Sequence, residues 1–354
     1  MVFCDMSNMP EAGSQNGNGN HLPVNISEHL RNQQELHPEA TGALTSILAD
    51  MTRVAKRISY LVNTAGLTDA FGYTGKTNAQ GEQVIRLDER ANEQFKNVLK
   101  NNHHVAGYAS EEENSFVSFL PGVERKYVVW FDPLDGSSNF DTNVSIGSIF
   151  SIYRRVTDVN GPVEERDFLQ KGSEQVCSGY FLYGTSTMFV YTTGDGVYGF
   201  TLDPSVGEFV LPESYSKIQI PERGMIYSVN EANSENWSAR VKEYIHELKT
   251  RKEDPCSARY VGSLVADAHR NMLKGGVYLY PSDKKYPNGK LRVNCELNPL
   301  SFVTEQTGGK SINENGLRIM DIQPRTLHER SSVVIGSRRE VELFSSFDPE
   351  YFIK

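Results

Sequence analysis

Apolar residues begin to recur with a regular period only after Thr41. Leu44, Ile47, Leu48, Met51, Val54, Ile58, Leu61 and Val62 fall mostly at spacings of three and four. That pattern predicts an amphipathic helix, with Thr41 as its N-cap and Gly66 as its stop. A second helix is predicted over residues 89–99, after Asp88 closes a candidate strand. The rhythm then changes to short β-rich runs at Lys126–Phe131, Ser148–Arg154, Ser178–Tyr183, Met188–Tyr191, Val197–Leu202 and Met225–Val229. Helical patterns return at Glu235–Lys249, Ser263–Leu273 and Pro299–Gly308, and a last strand is expected at Ser332–Gly336. Helices and strands alternate throughout, so the class is α/β or layered α+β. No repeat of solenoid period is present.

Two stretches interrupt the pattern. Residues 1–35 are polar and rich in Asn, Gly and Gln (Gly13-Ser14-Gln15-Asn16-Gly17-Asn18-Gly19-Asn20). They carry too little apolar surface to offset chain entropy and read as a mobile arm, or as one that orders against a partner subunit. Leu211-Pro212-Glu213-Ser214-Tyr215 and Ile220-Pro221-Glu222-Arg223-Gly224 read as connection. They divide the chain into an N-terminal unit of residues 36–215 and a C-terminal unit of residues 216–354.

Composition narrows the options. The 354 residues are 38% hydrophobic and 23% charged, as in soluble globular proteins. No apolar run approaches the roughly 20 residues of a membrane span. The net charge of −9 argues against nucleic acid as a partner. An anionic substrate would need cations or a local basic pocket. The four cysteines are scattered and form no CxxC pair, which suits a reducing compartment. Neither end carries a recognisable targeting pattern, so the cytoplasm is the expected location, with an organelle such as a glycosome or peroxisome left open.

The chemistry concentrates at Asp132-Pro133-Leu134-Asp135-Gly136-Ser137-Ser138. Pro133 holds Asp132 extended at the end of its strand. Asp135 follows one tight turn later, with Gly136 free to take positive φ. Carboxylates at i and i+3 around a turn can converge on one hard cation, and Mg2+ prefers such oxygen ligands. Gly136, Ser137 and Ser138 offer N–H and hydroxyl groups to a phosphate. A lone DxxDG is usually only a turn. Further acids at Asp88, at Glu111, Glu112 and Glu113, and at Glu296 turn it into a candidate metal site.

Ser110-Glu111-Glu112, Asp132 to Asn139, Ala258-Arg259-Tyr260-Val261-Gly262-Ser263, Pro287-Asn288-Gly289-Lys290-Leu291-Arg292 and Glu296-Leu297-Asn298-Pro299 occur in order. Together they resemble the signature blocks of the class I fructose-1,6-bisphosphatase family, from about Thr41 to about Leu343. The block at Asp132 alone would indicate only the wider lithium-sensitive sugar and inositol phosphatases. The resemblance implies the sugar-phosphatase fold, with layered helices and sheets in two subdomains. It implies metal-dependent hydrolysis of the 1-phosphate of fructose 1,6-bisphosphate. Metal ligands would be Glu111, Glu112, Asp132, Asp135 and Glu296, with the Leu134 carbonyl, for Mg2+ or Mn2+. Asp88 would activate the attacking water, with Glu112 as a ligand or water-orienting group. Asn230, Arg259, Tyr260, Tyr280 and Lys290 would hold the 6-phosphate, Arg259 reaching a neighbouring subunit of a homotetramer. Asn233 stands where the family usually has a tyrosine, which leaves the 6-phosphate contacts open.

The same resemblance places an AMP-phosphate site at Thr41, Gly42, Leu44 and Thr45, completed by Lys126, Tyr127 and Arg154. Ala43 departs from the acidic residue common there. The segment Asp158–Gln175 has no cysteine, which argues against redox control. Within the superfamily, the later blocks disfavour an inositol phosphatase and leave sedoheptulose 1,7-bisphosphate as an alternative substrate. A non-catalytic scaffold would be expected to lack a carboxylate, and none of the expected acids is missing.

Overall fold

The computed structural model describes residues 23–35, 41–67, 72–77, 83–120 and 125–347. Tyr73–Thr77 (β1) and Gln83–Ile85 (β2) form a small antiparallel pair. Eight strands follow: Val105–Ser110 (β3), Val117–Ser118 (β4), Tyr127–Asp135 (β5), Ile146–Arg154 (β6), Gln175–Tyr183 (β7), Thr187–Thr192 (β8), Tyr198–Asp203 (β9) and Glu208–Val210 (β10). They build one sheet in the order β10-β9-β8-β7-β6-β5-β3-β4, antiparallel except for the β3–β5 pair. The later strands are Ile226–Ser228 (β11), Ser257–Ala258 (β12), Val277–Tyr280 (β13), Leu291–Arg292 (β14), Lys310–Ile312 (β15), Arg330–Ser331 (β16) and Val333–Gly336 (β17). Five of these make a second sheet ordered β12-β11-β13-β17-β15, while β14 pairs with β16.

Helices and the two larger sheets alternate in layers. Ile26–Glu35 (α1), Ala43–Asn63 (α2) and Arg86–Asn101 (α3) pack on the outer face of the large sheet, where Phe95 stacks on Phe131 and Phe181 on Phe189. Ala239–Thr250 (α4) covers the far face of the small sheet. Leu264–Lys274 (α5) and Asn298–Gln306 (α6) lie between the two sheets, sharing a core with Ile149, Tyr180, Val190, Tyr278 and Ile335. Arg338–Ser346 (α7) joins α4. These layers are the α/β, layered α+β class the alternation predicts. Among the described residues, no helix is long and apolar enough to cross a membrane.

Several local expectations are corrected. The arm predicted through residue 35 is helical from Ile26, and Ile26, His29 and Leu30 are buried beneath it. Three apolar or aromatic side chains one turn apart suffice when a sheet edge is waiting, and Asn25 bridges to Val210. The rest of that arm, residues 1–22, lies outside the described residues. The N-cap of α2 is Gly42, with φ 76°, and not Thr41. Asp88 sits in the first turn of α3, not at a strand end, because its carboxylate accepts the Ile85 N–H at 3.2 Å and helps start the helix. Asp132 and Asp135 belong to a single strand. The register of β5 against β6 slips between them, so a bulge rather than a tight turn turns both acids the same way. Pro133, which can donate no ladder hydrogen bond, falls inside that bulge.

Candidate metal and phosphate site

Two parallel strands and two helix starts deliver the acids to one place. Glu111 follows the last residue of β3, its N–H bonded to the Phe131 carbonyl of β5 at 3.1 Å. Asp132 and Asp135 close β5. Glu296 comes from a π-turn over Val293–Leu297 that feeds α6, a widened turn of the kind that marks functional positions. Oxygens of Asp132, Asp135 and Glu296 all lie within 4.8 Å of one another, and all three residues are buried. They open on a cavity of about 410 Å³ lined also by Asp88, Glu111, Glu112, Leu134, Gly136, Ser137, Ser138, Tyr260, Tyr280 and Lys290.

Crowded, buried carboxylates resist ionisation. Burial first, then the charges of Glu111, Asp135 and Glu296, holds Asp132 well above the usual carboxylate range. Burial raises Asp135 to about 7, against the hydrogen bonds it accepts from the Val265 N–H and the Ser263 hydroxyl. Glu296 is raised to about 8, chiefly by burial and despite Arg292. Asp88 is pushed up to about 8 by burial and by the nearby charges of Glu112 and Glu111. Hard oxygen donors gathered this closely suit a divalent metal.

Arg292 brings a cation to these acids. Arg292 Nη1 lies 2.6 Å from Glu111 Oε1 and 3.7 Å from Glu296 Oε2, and the Arg292 N–H donates to Glu296 Oε2 at 2.5 Å. Sequence reasoning assigned Arg292 no role, although its place four residues before Glu296 was a usable signal.

Gly136 is needed where it stands. Its φ is 75°, and a Cβ there would lie 2.6 Å from the Cβ and Oγ of Ser263. The turn after β5 therefore seats directly on the start of α5. Asp135 Oδ2 completes the joint, accepting Ser263 Oγ at 3.1 Å and the Val265 N–H at 2.8 Å.

Comparison with known proteins adds a second line of observation. Residues 24–214 match the family described as fructose-1-6-bisphosphatase, N-terminal domain, and residues 220–348 match its C-terminal domain. The chain belongs to the fructose-1,6-bisphosphatase family. A class 1 fructose-1,6-bisphosphatase of Chloroherpeton thalassium is 48% identical over 330 residues, 92% of this chain and 93% of that protein. One from Cytophaga hutchinsonii is 50% identical over 313 residues, 87% and 89% of the two chains. The holo-form crystal structure of Leishmania major fructose-1,6-bisphosphatase superposes with a TM-score of 0.86. It is 38% identical and covers 92% of this chain and 99% of its own. The T-state structure of the same enzyme gives 0.82, at the same identity and coverage.

In this fructose-1,6-bisphosphatase family member the expected 6-phosphate residues divide. Tyr260, Tyr280 and Lys290 line the cavity that holds the carboxylates. Asn230 lines a small adjoining pocket with Asn233 and Tyr280, and its Oδ1 accepts the Ala232 N–H at 3.2 Å. Arg259 is exposed, lines neither, and donates to the Ala258 carbonyl at 2.8 Å. The residues that the resemblance assigns to AMP do meet. Thr41, Gly42, Leu44, Thr45, Lys126, Tyr127 and Arg154 line a separate cavity of about 340 Å³ at the start of α2. Helix α1 adds Leu30, Gln33 and Gln34 to its wall, and Thr45 Oγ1 donates to Gln34 Oε1 at 3.2 Å. Those α1 residues went unpredicted because the segment carried no helical pattern.

Proposed function

We infer that this chain hydrolyses the 1-phosphate of fructose 1,6-bisphosphate, releasing fructose 6-phosphate and phosphate, a gluconeogenic step. One observation carries the reading: a single cavity holds both a buried carboxylate cluster and the Tyr260, Tyr280 and Lys290 side chains suited to a second phosphate. The proposed ion is Mg2+, with Mn2+ as a substitute. Glu111, Glu112, Asp132, Asp135, Glu296 and the Leu134 carbonyl would hold it. When bound, it would polarise the phosphoryl group and lower the pKa of a coordinated water.

The chain's own groups do the rest. Asp88 is the proposed proton acceptor; burial raises its proton affinity. The Ile85 N–H holds one of its oxygens in place. The charge of Glu112 helps to raise that affinity. Ser137, Ser138 and the Gly136 N–H are proposed to bind the reacting phosphate rather than attack it. Tyr260, Tyr280 and Lys290, with Asn230 and Arg259, are proposed to bind the 6-phosphate, using ring hydroxyls and charge-assisted donors.

Phosphate release from fructose 1,6-bisphosphate, with Mg2+, Mn2+ or excess EDTA, tests this beside sedoheptulose 1,7-bisphosphate and inositol 1-phosphate. Metal-dependent release, fastest from the fructose ester, is expected. Full activity in EDTA would overturn the mechanism.

AMP is the proposed inhibitor, held by the helix-start cavity near Lys126 and Arg154; its backbone N–H groups and two cations suit a phosphate. Saturating AMP should lower the rate, and an unchanged rate would count against the site. A homotetramer is the proposed assembly. The exposure of Arg259 supports a role across a subunit boundary, and light scattering should give four times the chain mass.

A further inference from the structure

The loop Arg259–Ser263 brings Tyr260 to the cavity wall, leaves Arg259 exposed beside it, and runs into the start of α5. Asp267, in the first turn of α5, has no exposed surface. It accepts the Val261 N–H through both oxygens, at 3.1 and 3.0 Å, and the Gly262 N–H at 3.0 Å. Arg270, one turn later, closes the grip. Its Nη2 lies 2.5 Å from Asp267 Oδ1, 2.6 Å from the Arg259 carbonyl and 2.9 Å from Ser228 Oγ. Ser228 ends β11, two residues before Asn230. The start of α5 is also tied to Asp135 through Ser263 and Val265. One short helical turn therefore joins the loop bearing Arg259 and Tyr260, the strand leading to Asn230, and a carboxylate of the metal cluster.

We propose that Asp267 and Arg270 are positioning residues for the distal phosphate, setting the loop of Arg259 and Tyr260 at a fixed distance from the metal carboxylates. This rests on the reading of Tyr260, Tyr280 and their neighbours as the 6-phosphate pocket. Neither Asp267 nor Arg270 lines the cavity, so both act through the backbone they hold. An ion pair three residues apart on a helix surface does little by itself. Here the carboxylate is fully buried and spends its acceptor capacity on loop N–H groups, which is the work of a clamp. Asn at 267 would set an NH2 donor against an N–H or a guanidinium, and release one end of the loop.

Fructose 6-phosphate carries only the distal phosphate, so its binding in excess EDTA reads this pocket without the metal. Calorimetric titration would compare wild type with Asp267→Asn, Arg270→Met and Arg270→Lys. Asp267→Asn and Arg270→Met are expected to weaken binding about tenfold, the scale of one charge-assisted hydrogen bond. Arg270→Lys should recover part of the loss. With metal, the same variants should lose more kcat/KM on fructose 1,6-bisphosphate than on fructose 1-phosphate.

Unchanged fructose 6-phosphate affinity in folded variants would overturn the proposal, as would equal losses on the two substrates, which would put the effect at Asp135. A wild type that fails to bind fructose 6-phosphate would instead remove the pocket assignment itself. If thermal melting shows that Asp267→Asn does not fold, Arg270→Met decides the matter, since that side chain is one quarter exposed (26%).

Discussion

Asp135 serves two elements with one carboxylate: it belongs to the oxygen cluster with Asp132 and Glu296, and it accepts two hydrogen bonds from the start of α5. Asp135→Asn preserves its size and one acceptor while removing the charge. The expected outcome is a fold unchanged by circular dichroism and a Mg2+-dependent rate lowered at least about a hundredfold, since even groups behind metal ligands cost 10–100-fold. A near-normal rate would take Asp135 out of the proposed metal shell.

His269 gives a second residue-level test. Burial on α5 beside the Tyr180 hydroxyl, 2.8 Å from Nδ1, lowers its pKa from the ordinary 6.5 to about 4. The unfolded chain therefore takes up a proton between these values that the folded chain refuses. Its stabilising share is complete above pH 6.5 and is lost as pH falls through 4, roughly 3 kcal/mol in all. Urea midpoints against pH should fall less steeply for His269→Gln than for wild type across that window.

At this scale the gathering of Asp132, Asp135 and Glu296 was legible, because few residue types suit a hard cation. Arg292 and Asp267 were not, because an Arg beside a basic block and an Asp inside a helix become meaningful only through what they touch.

Among elements, the joint between β5 and α5 is the most constrained. Gly136→Ala places a Cβ against Ser263 at a left-handed backbone position, which costs about 1–2 kcal/mol before any clash. The expected result is a lower urea midpoint with a reduced rate; an unchanged midpoint and rate would show that the joint yields freely. The long strands of the large sheet were readable because their runs of β-favouring residues are long. The central strand β13 was missed. Its four residues, Val277–Tyr280, show no alternation because both faces are covered. The bulge in β5 was invisible for a related reason: Asp, Pro and Gly together are also the composition of a turn, and only pairing with β6 separates the two.

At the scale of the whole molecule, β5 links the two cavities. Tyr127 lines one and Asp132 the other, five residues or about 17 Å apart at strand rise. If AMP and the sugar phosphate influence each other, linkage makes the effect equal in both directions. Calorimetry should show AMP weakening fructose 6-phosphate binding by a factor above one, and fructose 6-phosphate weakening AMP binding by the same factor. A factor of one both ways would remove AMP as a competitor for the binding-competent state. The layered class was legible from alternation alone. The placing of α5 and α6 between the sheets was not, since it depends on which faces meet after the chain crosses near residue 215.

The same strand also limits how the coding sequence can drift. All nine residues of β5 are buried, and both ends are occupied by separate pockets. Replacing Val128 with Ile would change volume alone. Deleting one residue between Tyr127 and Asp132 would turn every later side chain to the opposite face, carrying the acids away from Glu296 while Tyr127 stayed with Arg154. Descendants of this chain can therefore vary in spelling along β5, but not in length.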